Sequence, residues 1–350
     1  MTSLDLGRRV LRIGPRSRPV LLVDARSVAL CAGLWGAIVV LGVFAVCSGP
    51  AAITPMEALA ALAGRGDEYT SMVVLEWRAP RILLAVLLGA CLAISGAIFQ
   101  NLTGNPLGSP DVIGFQTGSY TGAIVVMLIL GGGSTATMAG ALAGGVTTAF
   151  VVFFLSAKRG AVRGVRLIIV GIAVSAMLAS VNVWILLTAT VEDAIMASLW
   201  GAGNLSGVSW ATFLAALGGS AVFVGGALAL SRPMRVMQIG TPFATALGQN
   251  VRAIQVAAIV VGVGLTALAT ATVGPISFIA LAAPQIARRL ARSDGLALGP
   301  TAAVGSLLLL LADVIAQRIH PDSPLPVGIV TVSIGGLYFL WLLLREGKRR

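Results

Sequence analysis

The sequence predicts an all-α membrane protein with about ten transmembrane helices. Of its 350 residues, 57% are hydrophobic and only 11% are charged, whereas about a quarter of a soluble domain is charged. The 43 glycines suit helices that approach each other closely in lipid. The Lys and Arg residues lie between apolar runs rather than in one stripe with interleaved aromatics. We therefore interpret the net charge of +11 as loop charge, not as a nucleic-acid surface.

Ten apolar runs of roughly the length that crosses a bilayer follow one another along the chain. The predicted spans are residues 28–48, 80–101, 112–131, 135–157, 167–189, 208–230, 252–272, 276–291, 300–317 and 326–344. Gly274-Pro275 separates the seventh span from the eighth, which leaves a partly re-entrant stretch at 274–292 open. The predicted regions are an N-terminal cytoplasmic tail at 1–27, a transmembrane domain at 28–345 and a cytoplasmic C-terminal tail at 346–350.

The charges indicate how these spans are oriented. All but four of the 24 Lys and Arg residues fall in segments that ten spans place on one side; the exceptions are Arg65, Arg78, Arg81 and Arg318. Basic residues collect on the cytoplasmic side of membrane proteins, so we expect both termini there. Eight or nine spans would misplace at least one Arg cluster.

Local signals predict further elements. Thr54-Pro55 followed by Glu57 is typical of a capped short helix outside the membrane. Pro80 fits the first turn of the second span. Gly140 and Gly144 give the fourth span a small-residue face. Residues 190–207 are predicted to be a loop.

Residues 232–250 contain a second short helix, at 242–247, between the sixth and seventh spans. Thr241 is its predicted N-cap, Pro242 its first residue, and Gly248 lies just past its end. Phe243 and Leu247 are four residues apart and share a face. That face fits a partner's groove, and the alternative is a connector that packs on its own bundle.

The sequence carries no signature of ATP hydrolysis or metal binding. A phosphate-binding loop needs a lysine, and the only lysines are Lys158 and Lys348 in Arg-rich flanks. The three cysteines, Cys31, Cys47 and Cys91, lack metal-site spacing. Asp313 is the clearest acidic residue inside a span. The sequence leaves open whether it pairs with a partner at a helix end or takes part in a proton relay.

Several motifs together resemble one family. They are Trp77–Arg81, Ser95–Gln100, Asn105–Asp111, Gly274–Gln285 and Leu325–Thr331. In order over roughly residues 30–346, they resemble the permeases of bacterial iron–siderophore and vitamin B12 ABC importers, the type II importers. The stretches at 76–78, 104–114, 166–171 and 275–280 are most similar to ferric enterobactin permeases.

The resemblance implies a transport subunit rather than an enzyme, working by alternating access. Its expected partners are a distinct sister permease, two ATPase subunits that bind ATP and Mg, a periplasmic or extracellular siderophore-binding protein, and the bilayer of the bacterial inner membrane. No cofactor is expected on this chain, and iron enters only inside the transported ferric catecholate siderophore.

The resemblance also implies site residues. Arg78 and Arg81 match outer arginines that meet carboxylates of the binding protein; a third arginine would fall at Gln317, and Arg318 stands one position later. The predicted ATPase-coupling residues are Thr241, Pro242, Phe243, Ala244, Leu247 and Gly248. Candidates for the translocation path are Gln100, Asn101, Asn105 and Asn182. The family often has His where this chain has Gln285.

Two rival functions remain open at this point. A haem or cobalamin importer would share the same architecture. An ion-driven secondary transporter would need paired intramembrane carboxylates or inverted repeats around broken helices, which the sequence does not show.

Overall fold

The computed structural model describes residues 10–13, 21–49, 51, 53–111, 113–158, 161–162, 164–292, 295–319 and 324–347. The α-helices are α1 Ala25–Cys47, α2 Pro55–Leu62, α3 Glu68–Ser71, α4 Ala79–Thr103, α5 Phe115–Ile124, α6 Ser134–Ser156, α7 Gly164–Thr188, α8 Val191–Gly201, α9 Trp210–Met237, α10 Thr241–Ala246, α11 Val251–Val273, α12 Ile279–Ala291, α13 Leu298–Ile319 and α14 Val327–Gly347. The π-helical segments Met72–Arg78 and Val125–Ile129 precede α4 and follow α5.

Each of the ten predicted spans corresponds to a helix. Within the described residues, seven helices are long and apolar enough to cross a membrane. Two shorter apolar helices, Phe115–Ile129 and Val327–Tyr338, occupy the third and tenth predicted spans. Helix α12 occupies the eighth. The all-α membrane architecture is therefore confirmed.

The bundle has two distinguishable ends. Helices α2, α3 and α8 lie at one end, called here the α2 end, where the start of α9 is tied to the start of α4 by Trp210 Nε1 donating to Leu75 O at 2.7 Å. The opposite end carries α10, between the end of α9 and the start of α11, and is called the α10 end. Arg26 Nε donates to Leu290 O at 3.3 Å there, so α1 starts where α12 finishes.

The N-terminal tail and the basic loop after α6 contain the described strands. Strands β1 Val10–Ile13 and β2 Leu21–Asp24 pair antiparallel, as do β3 Ala157–Lys158 and β4 Ala161–Val162. Much of the predicted tail, residues 1–9 and 14–20, lies outside the described residues, as do residues 348–350 of the C-terminal tail.

The second span begins earlier than predicted. Pro80 is the second residue of α4 and lies in its first turn as predicted, but helical backbone runs without a break from Glu68 to Thr103. The π-helical segment makes this possible, because the Ala79 N–H donates to Val74 O, five residues back. The register shift of a π-bulge accommodates the missing N–H of Pro80.

Glycines bring the interior helices into backbone contact. A Cβ added to Gly122 of α5 would collide with Gly140 O, and one added to Gly144 of α6 would collide with Gly118 O. The predicted small-residue face of the fourth span is therefore the contact between α5 and α6. Close approach of this kind is how helices associate in lipid, where apolar burial gives little driving force.

The predicted loop at 190–207 is wrong in its first half, where helix α8 stands. Thr190 is its N-cap, and Thr190 Oγ1 accepts from the Asp193 N–H at 3.2 Å. The sequence signal was Thr190-x-x-Asp193 before an apolar run. The predicted cap of α2 is confirmed, because Thr54 and Glu57 form both bonds of a capping box.

The eighth span is a broken helix. Residues 274–278 are non-helical, and α12 has 13 residues, which extend about 20 Å at 1.5 Å per residue. That length is shorter than the hydrocarbon core of a bilayer. Non-helical backbone at this depth is tolerated only where protein or an aqueous cavity surrounds it, so the stretch is interior.

Candidate functional site

The short helix α10 lies between two long helices, α9 and α11. Gly240, with φ of 140°, stands before its first residue, and the Ala244 N–H donates to Gly240 O at 3.0 Å. The prediction that Thr241 is the N-cap is wrong: Thr241 is already helical, and the φ of 140° at the preceding position favours glycine. Gly248, with φ of 80°, ends the turn as predicted.

Phe243 of α10 and Leu247, the C-cap residue directly after this helix, both point outward. Phe243 is 49% exposed and Leu247 59% exposed, whereas Ala244 is buried against the bundle. Asn250 then caps α11 by accepting the Ala253 N–H at 3.1 Å. An exposed apolar pair on a short helix at the end of the bundle offers a partner an apolar contact.

The predicted docking arginines all lie at the α2 end but differ in their surroundings. Arg78 donates to Val46 O and, at 2.8 Å, to Ala51 O, so it holds the end of α1. Gly49 lies against it: an added Cβ would stand 2.7 Å from Arg78 Nη2. Arg78 is therefore partly committed to internal contacts.

Arg81 makes a buried ion pair with Asp313. The shortest contact, Nη2 to Oδ1, is 2.7 Å, and Nε donates to Oδ2 at 3.0 Å. The two side chains are 16% and 1% exposed. Gln317 Nε2 adds a bond to Asp313 Oδ2 at 2.8 Å. Asp313 thus has a helix-crossing partner, and the Arg81 charge is balanced inside the chain.

Arg318 is the exposed member of the group. Its guanidinium lies 4.3 Å from the centroid of the Phe44 ring, a cation–π contact. It borders a cavity of about 300 Å³ between the end of α1 and the end of α13. The cavity is lined by Ala45, Ser48, Gly49, Val314, Gln317, Arg318 and Pro324.

The candidate path residues do not form one group. Gln100 is buried, donates to Leu281 O at 3.0 Å and accepts from Arg288. Asn105 accepts the Leu107 N–H at 2.9 Å in a turn. Asn182 is buried separately on α7, and its Oδ1 lacks a hydrogen-bond partner among the described residues, as does Nδ2 of Asn101.

Sequence reasoning missed the polar contacts around α12. Gln285 Nε2 donates to Pro106 O at 2.7 Å, which joins α12 to the turn after α4. Arg288 was counted only as a loop charge, yet it contacts Gln100. The available signal was a glutamine and an arginine three residues apart on one face of the helix.

A profile of the FecCD transport family matches residues 37–345, which is most of the chain and includes every helix from α2 to α13.

The chain belongs to the FecCD transport family.

Named relatives agree with this membership. The FecCD chain is 44% identical over 331 residues to the ferric enterobactin transport system permease protein FepG of Escherichia coli K12, covering 95% of this chain and 100% of the relative. It is 36% identical to the hemin transport system permease protein HmuU of Yersinia pestis, covering 79% and 84%.

The fold of the FecCD chain also has a solved counterpart. A chain from an inward-facing structure of an ABC transporter assigned to the metal-chelate type superposes with a TM-score of 0.80, covering 91% of this chain and 99% of the other. At 24% identity this likeness shows the fold alone. The expected type II permease architecture is thereby confirmed.

Proposed function

We propose that this FecCD chain is the permease subunit of an ATP-driven importer for a ferric catecholate siderophore of the enterobactin type. The observation that carries the proposal is the 44% identity to FepG along that relative's full length. The chain moves its ligand without covalent chemistry, and the partner ATPases bind ATP and Mg.

The distribution of charge supports an orientation. Described basic residues gather at the α10 end, namely Arg26, Lys158, Arg166, Arg232, Arg235, Arg252, Arg288, Arg289, Arg292 and Arg345. Acidic Glu57, Glu68 and Glu192 lie at the α2 end. By the positive-inside rule the α10 end faces the cytoplasm of a bacterium and the α2 end faces the binding protein.

This orientation gives each end a task. Exposed Phe243 and Leu247 of α10 enter a groove of the ATPase, which transmits closure of the ATPase dimer to α9 and α11. At the α2 end, Arg318 is the most exposed of the three predicted docking arginines and is the candidate cation for a carboxylate of the binding protein. Arg81 is occupied by Asp313 and serves mainly to hold α4 against α13.

Docking can be tested by charge reversal. Arg318→Glu should weaken binding of the ligand-loaded binding protein, most strongly at low salt, because exposed charges are screened at high ionic strength. Arg65→Glu, an exposed reversal at the same end, is the control. Equal affinities of the two variants at low salt would remove Arg318 from the docking surface.

A haem importer is the second candidate, because HmuU is 36% identical. Proteoliposomes containing this chain, its sister permease and the ATPases separate the two. Radioiron supplied as a ferric catecholate with its binding protein should accumulate only when ATP is present on the side of the membrane that carries the ATPases. Accumulation of hemin with no ferric catecholate uptake would favour the second candidate. Uptake driven by an ion gradient without ATP would reject both.

A further inference from the structure

The start of α12 carries backbone strain. Phe278 adopts φ of 71°, a left-handed conformation that is an outlier for a bulky residue. Its ring lies against Gly335 of α14, where an added Cβ would overlap the ring. Strain of this kind persists only where the surroundings determine it, and it collects at functional elements.

The first N–H groups of a helix have no partner within it, and Phe278 offers no side-chain cap. The Phe278 N–H instead donates to Asp111 Oδ2 at 3.2 Å, 167 residues away along the chain. The second carboxyl oxygen, Asp111 Oδ1, is shielded from solvent and has no hydrogen-bond partner among the described residues.

Asp111 lies in the non-helical segment between α4 and α5. This segment and the non-helical residues 274–278 before α12 are called here the two interruptions, and further hydrogen bonds connect them. Gln116 of α5 donates from Nε2 to Ile276 O at 2.7 Å, and Ser277 Oγ donates to Gln116 Oε1 at 2.8 Å. Gln285 farther along α12 reaches Pro106 O, as described above. The segment 106–116 is thus hydrogen-bonded both to the residues just before α12 and to the middle of α12.

We propose that Asp111 is a positioning residue that caps α12 from another segment and joins the two interruptions into one unit that moves as a whole during transport. The inference rests on the proposed function, because it assigns the unit to the alternating-access step. Without the cap, α12 is free to shift while the ATPases continue to turn over, so ATP hydrolysis continues without matching transport.

The test compares four variants in the assembled transporter in proteoliposomes, measuring chelate transported per ATP hydrolysed. Asp111→Leu should lower this ratio about tenfold or more, the scale of leaving one shielded N–H without its acceptor. Asp111→Asn keeps an acceptor oxygen and should remain within about twofold. Gln116→Leu leaves Asp111 intact and should lower the ratio in the same direction as Asp111→Leu.

Asp67→Leu is the matched control. Asp67 caps α3 at the surface through the same kind of bond, from the Thr70 N–H to Oδ2 at 3.0 Å, and its loss should leave the ratio unchanged. A purely structural role would lower hydrolysis and transport together and leave their ratio intact. An unchanged ratio in Asp111→Leu, or equal losses in Asp111→Leu and Asp111→Asn, overturns the proposal.

A second measurement does not depend on the substrate. Amide hydrogen exchange at residues 278–282 should accelerate about tenfold or more in Asp111→Leu and little in Asp111→Asn, since the cap is lost only in the first. If Asp111→Leu fails to assemble, Gln116→Leu decides, and normal exchange and ratio in that variant overturn the proposal. The ratio is taken with whichever ferric chelate or hemin the unmodified transporter accumulates, so a wrong siderophore class is told apart from a wrong role for Asp111.

Discussion

Helices α1 and α4 have similar sequences but differ in how much of each helix is buried within the chain. Both are apolar, uncharged through most of their length and rich in glycine and alanine. In the 18-residue apolar window of α1, 6% of the residues are buried within the chain, against 72% in the corresponding window of the helical segment Glu68–Thr103, which contains α4. The difference teaches that apolar character shows only that a segment avoids water.

What separates the two helices is the use of their small residues. An added Cβ at Gly96 of α4 would overlap Ala280 O of α12, and one at Gly89 would stand 2.5 Å from Gly305 O of α13. Gly33 and Gly36 of α1 have nothing within 4 Å of the same position. Gly89 and Gly96 of α4 are needed for helix contact, whereas Gly33 and Gly36 of α1 have open space beside them.

The largest effect is expected from Gly96→Ala. The new methyl group must displace the backbone of α12, so destabilisation should exceed the roughly 1–3 kcal/mol of ordinary overpacking. Gly36→Ala should be neutral or stabilising by up to about 1 kcal/mol, because alanine is the better helix former. The measurement is the yield and thermal midpoint of monodisperse protein in detergent. Similar behaviour of the two variants would refute the contrast between α4 and α1.

The next effect tests the ion pair that joins α4 to α13. Asp313→Leu leaves Arg81 buried without its partner and should cost about 3–5 kcal/mol of folding free energy. The double variant Arg81→Leu with Asp313→Leu should regain most of that loss, since an apolar pair can replace a buried ion pair. Thermal unfolding of both variants decides; a double variant less stable than the single would show that the charges themselves hold the helices.

A smaller effect is expected at the periphery. Thr190→Ala removes the cap of α8 and should lower the free energy of unfolding by about 1 kcal/mol. Ser180→Ala on the exposed face of α7 removes only a bond to Ala176 O within its own helix and should change it by less than about 0.5 kcal/mol. Denaturant titration compares them, and equal losses would mean that the cap adds nothing.

The smallest effect on stability is expected from Phe243→Asp, although it should abolish uptake. Phe243 is exposed beyond the end of the bundle, so a charge there should change folding by less than about 0.5 kcal/mol. Leu62→Asp, on exposed α2 at the opposite end, is the control and should transport normally. Uptake and membrane insertion are measured together; normal uptake by Phe243→Asp would contradict the coupling role.

Much of the fold was predictable because its signals are local. The apolar runs, the capping box of α2, the glycine face of α6 and the position of α10 each depend on residues within a few positions of one another. The errors arose where a local sequence pattern is compatible with more than one structure. The second span was predicted to begin at Pro80 because a proline inside a helix normally costs a hydrogen bond, whereas helical backbone continues back to Glu68 through the π-helical segment.

The sequence by itself determined the number of apolar segments, the asymmetry of charge between the two ends and the position of the short helix α10. Those features follow from hydropathy, charge and turn chemistry, which neighbouring residues encode. Only the tertiary structure decided that α4 is interior and α1 peripheral, that Arg81 is paired with Asp313, and that Asp111 caps α12. The physical reason is that lipid and protein interior are equally apolar, so a buried helix and a lipid-facing helix carry the same pattern. Contacts between residues more than a hundred and fifty positions apart depend on which backbones approach closely.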